Sequence, residues 1–220
     1  MGWRRLFFLS VLVTVFSACA EWQDLPVQIY VDTRFSDLEQ EGIADAVAEW
    51  NRQAGCRYAY GDVVLEIAGT VTDDFTERDY EDGVHVIYRI SNPIEAEQYL
   101  QNVYGGADST LGNATLADVI LIMYNFDRFM IELEAEQCER SAQLGYDNQN
   151  LQASLDRFRF HFVRNLALHE LGHLLGLLHH NDRPGVMNDD GLSFLSGSEF
   201  LTDADLDAFC LIYDCCCNRL

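Results

Sequence analysis

Val27-Gln28-Ile29-Tyr30-Val31 alternates apolar and other residues with the two-residue period of a strand. Ser36-Asp37-Leu38-Glu39 follows as a capping box, in which hydroxyl and carboxylate each satisfy a backbone N–H at a helix start. Ile43, Ala46, Val47 and Trp50 then share one face at helical spacing, and Gly55 is a stop signal. Val63 to Ile67 and Val84 to Ile90 read as further strands. Ala117 to Tyr124 (ADVILIMY) is a nearly continuous apolar run, as expected of a strand buried on both faces. Phe129 to Leu144 predicts a helix and Gly145 to Asn150 a loop. Phe158, Phe160 and Phe162 alternate with Arg157, Arg159 and His161, which suits a short strand or the approach to the next helix. Strand, helix, strands and then a long helix predict an α/β (α+β) chain with a mainly parallel sheet.

Length and composition narrow the class. The 220 residues fit one domain, or one with an insertion, at about 150 residues per domain. Apolar residues at 49% and charged residues at 23% match globular usage and exclude wholesale disorder. No repeat, low-complexity stretch or linker interrupts the chain. Arg4 and Arg5 precede an apolar run from Leu6 to Phe16, and the small residues Ser17, Ala18, Cys19 and Ala20 follow it. That order predicts a secretory signal peptide; the run is shorter than the ~20 residues of a membrane span. Two cleavage readings compete. Phe16-Ser17-Ala18-Cys19 resembles a bacterial lipobox, so residues 1–18 leave and Cys19 takes lipid. Ala18-Cys19-Ala20 is also an A-x-A site, which removes 1–20 and releases a secreted protein. The lipobox reading is preferred. It predicts a chain anchored in a bacterial envelope, with 19–220 as a single domain.

Charge removes several function classes. Fourteen Arg, no Lys and 36 acidic residues give −22, and a body of that charge repels phosphate backbones and anionic lipid headgroups. A nucleic-acid binder is excluded, and so is lysine-based covalent chemistry. An acidic surface without lysine suits salty surroundings, cationic partners or plain solubility. Either cut leaves Cys56, Cys138, Cys210, Cys215, Cys216 and Cys217, an even number that predicts disulfides in an exported chain. Six cysteines allow 15 pairings, and spacing does not choose among them. The Cys215-Cys216-Cys217 cluster has no histidine or spaced C-x-x-C beside it, so a metal site there is disfavoured.

The chemistry is concentrated in residues 163–180, VRNLALHELGHLLGLLHH. His169 and His173, four apart, project from one helical face and can grip one ion together. Glu170 points to the same open side, as the general base of H-E-x-x-H does. Gly176 permits the positive φ that ends a helix and turns the chain back, bringing His179 in as a third ligand. Three imidazoles leave a zinc position open for water, the arrangement of a catalytic site. Two incidental histidines beside a solvated Glu are the bland alternative, which the full H-E-x-x-H-x-x-G-x-x-H makes remote. His180 lies one residue past the required spacing and reads as surface or as backing for the ligands. His85 and His161 read as ordinary structural or exposed histidines.

This segment resembles the metzincin metallopeptidases, and among them the matrixins. Met187, eight residues beyond His179 in Asp182-Arg183-Pro184-Gly185-Val186-Met187, is similar to the family's Met-turn beneath the metal. Leu201-Thr202-Asp203-Ala204-Asp205-Leu206-Asp207-Ala208, leading to Leu211-Ile212-Tyr213, resembles its closing helix. Leu206, Phe209, Cys210 and Tyr213 would pack on the core from one face in any case. The strong resemblance covers residues 163–213. It implies a zincin fold with an active-site helix and a C-terminal helix, one catalytic zinc, and an extended protein or peptide substrate along an edge strand near Ala114-Thr115-Leu116. Zinc held by His169, His173 and His179 would polarise the scissile carbonyl while Glu170 shuttles the proton. Residues 188–200 would wall the specificity pocket.

The departures carry expectations too. No cysteine-switch motif is present and no propeptide fits before the first strand, so the family's usual latency mechanism is not expected. Residues 104–118 lack the His-x-Asp pattern of the matrixin structural zinc, so no second zinc is predicted, and calcium is left open. Asp189 stands where astacin-like relatives carry a tyrosine ligand. An insertion at 127–156 has no family counterpart. Two rivals to a general endopeptidase follow. One is a zinc-binding surface lipoprotein, an adhesin or scaffold without turnover, which has no need of Glu170. The other is a peptidase that the insertion restricts to one partner or to free N-termini.

Overall fold

The computed structural model describes residues 25–54, 63–72, 85–95, 112–114, 119–144, 149–180, 185–188 and 200–213. The predicted signal segment with Cys19, Gly55, Cys56, Thr115, Leu116 and the Cys215-Cys216-Cys217 cluster lie outside them. Strand β1 (Val27–Asp32) runs into helix α1 (Asp37–Ala54). The capping box forms: the Ser36 N–H donates to Glu39 Oε2 (2.9 Å) and the Glu39 N–H to Ser36 Oγ (3.4 Å). Ile43, Ala46, Val47 and Trp50 are all buried, as their spacing predicts.

Five strands form one sheet in the order β2-β1-β3-β5-β4, with β2 Leu65–Val71, β3 His85–Ile90, β4 Gly112–Ala114 and β5 Val119–Ile122. Every pairing is parallel except β4 on β5, so the mainly parallel α/β arrangement is observed. Strand β2 lies two residues later than Val63 predicts and extends further. Asn51 from α1 accepts the N–H groups of Val64 (2.8 Å) and Leu65 (3.0 Å), which holds the strand's start. A register shift in β1 between Ile29 and Tyr30 then carries the pairing on to Val71.

The apolar run 117–124 divides between two elements. Its strand stops at Ile122, and Tyr124 already opens helix α2 (Tyr124–Leu144), five residues before the predicted start. The Met123 N–H closes the sheet against Ile90 O (2.8 Å), and the Asp127 N–H donates back to Met123 O (2.8 Å), the first helical bond. Apolar periodicity cannot separate a strand from the helix that leaves it directly. Helix α3 (Gln149–Leu174) absorbs the end of the predicted 145–150 loop and the alternating 157–162 segment. The strand alternative for that segment is overturned because Phe158 and Phe162, one turn apart, meet the same ring. Phe126 stacks on Phe162 with centroids 3.8 Å apart and on Phe158 at 6.0 Å. Of the 127–156 segment, the described residues belong to α2 and the first turns of α3.

Helix α4 (Asp203–Ile212) is capped by Thr202, and Leu206, Phe209 and Tyr213 enter the core with Cys210 half-buried against it. No disulfide links two of the described residues, and Cys138 is exposed on α2. The main core lies between the sheet and the helices: Ile29, Val31, Ile87 and Leu121 face Trp50, Leu168 and Leu171. Val86, Tyr88, Ile90 and Ile122 form a smaller cluster on alternate positions of the strands.

Candidate metal centre

Helix α3 delivers His169, Glu170 and His173 together because it is continuous through all three. It ends at a glycine-dependent turn. Gly176 has φ 89°, its N–H donates to His173 O (2.8 Å), and the Leu177 N–H donates to Gly172 O (2.9 Å). These paired bonds are a Schellman motif, and they turn the chain back over the last helical turn. His179 thereby returns to the histidines it follows, as the Gly176 spacing predicts.

The three Nε2 atoms converge. His169 lies 3.1 Å from His179 and from His173, and His173 lies 3.0 Å from His179. Backbone carbonyls orient two of the rings. The Nδ1–H of His169 donates to Val186 O (2.6 Å) and that of His173 to Leu177 O (2.8 Å). A carbonyl oxygen only accepts, so both Nδ1 atoms carry the proton, and in the neutral ring each Nε2 presents a lone pair. Lone pairs at this separation cannot bond to one another; a cation between them satisfies all three. Among the described residues this is the one group of three or more His, Cys, Asp or Glu whose ligand atoms could hold a metal ion. Burial falls from His169 through His173 to the exposed His179, so the cluster opens to solvent on one side. Imidazole donors suit Zn, Cu, Fe or Ni.

Burial sets the electrostatics. It lowers the His169 pKa to about 4, the bond to Val186 opposing and the neighbouring histidines adding to the fall. His173 is lowered for the same first reason. Glu170 is buried, its Oε2 has no hydrogen-bond partner among the described residues, and burial raises its pKa to about 8. A buried carboxyl oxygen without a partner, on the helix that carries two of the three convergent histidines, is an expensive arrangement for a structural core. No protein-family model matches this chain, and no curated protein matches it. The site is therefore read from its own geometry.

Other elements brace it. Met187 is fully buried against α3 at Gly172, where an added Cβ would overlap the methionine sulfur and stand 3.2 Å from the Trp50 ring. Trp50 donates its indole N–H to Leu168 O (2.9 Å), and Tyr213 donates its hydroxyl to Leu175 O (3.0 Å). Asp205, fully buried, accepts from the N–H groups of Val186 (3.1 Å), Met187 (3.0 Å) and Thr202 (2.7 Å). His180 stays out of the trio and reaches Asp205 instead (2.9 Å). His85 is buried where β3 meets β1, and His161 is half-buried beside Phe160; neither joins the centre.

Sequence reasoning missed Gly172 and the reach of Asp205. The signals were a glycine inside a helix, which costs about 1 kcal/mol against alanine, and an acid three residues after Thr202. Ala114 lies in the edge strand β4, where the substrate edge is expected. Of the predicted pocket wall, residues 189–199 lie outside the described ones, as does most of the 104–118 stretch.

Proposed function

We propose that this chain is a zinc-dependent endopeptidase of the metzincin, matrixin-like kind. The observation that carries the reading is the convergence of three Nε2 atoms within 3.1 Å, two of the rings oriented by carbonyl oxygens, on a helix that also carries Glu170 with its buried Oε2 unpartnered among the described residues. His169, His173 and His179 would hold the ion. Bound zinc supplies a Lewis acid for the scissile carbonyl and lowers the pKa of water to ~7. Glu170, returned to the carboxylate by the charge of a bound ion, would take the water's proton and deliver it to the leaving amine. The edge strand β4 offers main-chain hydrogen bonds to an extended protein or peptide substrate. Export and a lipid anchor at Cys19 belong to the same proposal; Cys19→Ser should move the protein out of the membrane fraction.

The test is hydrolysis of unfolded casein by the purified chain, with and without chelator, alongside metal analysis. Cleavage that chelator abolishes and zinc restores, at one zinc per chain, supports the reading. Stoichiometric zinc without cleavage of casein or any peptide mixture would make the protein a zinc-binding surface lipoprotein instead.

A further inference from the structure

His179 and His180 are adjacent, yet their side chains serve different neighbours. His180 is largely buried, with 14% of its side chain exposed. Its Nε2–H donates to Asp205 Oδ1 (2.9 Å), and its backbone N–H donates to Met187 O (3.1 Å), so it holds the turn at Met187 directly through its backbone and indirectly through Asp205. The same carboxylate takes the Met187 N–H on Oδ1 and the Val186 N–H on Oδ2. Val186 O then accepts the Nδ1–H of His169. Gly185 leaves room for this contact: a Cβ there would stand 2.6 Å from His180 Cε1 and 2.7 Å from Asp205 Oδ1.

We infer that His180 is a positioning residue, which through Asp205 holds the Val186–Met187 peptide in the place that orients ligand His169. The inference rests on reading the three histidines as a metal centre. The acceptor of a ligand histidine's second nitrogen sets the ring's plane and basicity, and loss of such partners weakens metal affinity ~10–100-fold. Without His180, Asp205 Oδ1 keeps the Met187 N–H alone, and the peptide can shift under His169.

Cobalt(II) and zinc are the probes, applied to the full chain. His180→Leu should still bind one metal, with Kd raised ~10–100-fold by chelator competition and an altered cobalt absorption spectrum. His180→Gln, which keeps an N–H at similar reach, should recover most of both. Gly185→Ala, which wedges the His180–Asp205 contact apart while leaving both residues in place, should alter the cobalt spectrum in the same direction, and it serves if His180→Leu does not fold. A His180→Leu protein with wild-type affinity and spectrum overturns the inference. So does one with a lower melting temperature and an unchanged spectrum, which is a structural role alone. Loss of stoichiometric metal in both position-180 variants would make His180 a ligand. Failure of the wild-type chain to bind metal overturns the underlying reading itself.

Discussion

Two polar clusters in this molecule are built on opposite principles. Around Arg89 of β3 the charges close on one another. Its guanidinium donates to both oxygens of Glu39 (2.9 and 3.2 Å) and both oxygens of Asp127 (2.9 Å), and Arg159 bridges the same two acids at 2.9 and 3.0 Å. Two arginines meet two carboxylates and nothing further is required. At the end of α3 the opposite holds: three imidazole nitrogens face one point, and a buried carboxyl oxygen of Glu170 on the same helix has no partner among the described residues. A buried polar cluster that is complete rigidifies the fold; one left incomplete is costly until a ligand completes it. The origins differ as well. The ion cluster draws on β3, α1, α2 and α3, whereas the histidines come from eleven consecutive residues.

The largest effect expected is on turnover. Glu170→Ala should lower casein hydrolysis by roughly 10²–10⁴-fold while zinc content stays at one per chain. Lost zinc, or proteolysis at the wild-type rate, would contradict the role assigned. Next, His179→Ala should strip zinc far beyond the ~10–100-fold expected when a supporting residue is lost, whereas His180→Ala should retain one ion. Metal analysis of the two purified variants in the reverse order would show the third ligand misassigned.

The closed cluster should respond in stability and not in metal. Arg89→Leu strands Glu39 and Asp127 and should cost about 3–5 kcal/mol in urea unfolding, with zinc affinity of the folded protein unchanged. Released zinc would mean that the two clusters are coupled and the contrast fails. Gly172→Ala bridges the two regimes. Its methyl meets Met187 and Trp50, so ~1–3 kcal/mol of overpacking should accompany a disturbed cobalt spectrum; a stable variant with unchanged spectrum would count against the close packing seen there.

The smallest effect is pH-dependent. Burial alone would raise the Glu39 pKa, but the hydrogen bonds and charge of Arg89, the Ser36 N–H and Arg159 hold it below its ordinary 4.5. A lowered carboxyl contributes stability fully above its unfolded pKa and loses it as pH falls through the folded value. The stability gap between wild type and Glu39→Gln should therefore be widest near neutral pH and narrow below about pH 4.5. An equal gap at pH 7 and pH 3 would assign Glu39 no linked role.

Much of the site was legible because its geometry is local. The i, i+4 spacing of His169 and His173 holds on any helix, and Gly176 marks the reversal that brings His179 back. The Ser36–Glu39 box and the strand at Val27 were legible for the same reason, since each depends on neighbours a few residues away. The start of β2 was not, because Asn51 sets it from another element. The start of α2 was not, because an apolar run suits a strand and the first turn of a helix equally. The phenylalanine alternation at 158–162 was ambiguous until Phe126 supplied the surface that selects the helix.

The sequence by itself determined which residues can meet within one helix and one turn: the capping box, the apolar face ending at Trp50, and three histidines with Glu170 between the first two. Tertiary structure decided what His180 and Asp205 hold, why position 172 has no side chain, and that Arg89 closes a network drawn from four elements. Covalent spacing limits separation only over a few residues; beyond that, packing and burial choose the partners, and no short window of sequence contains them.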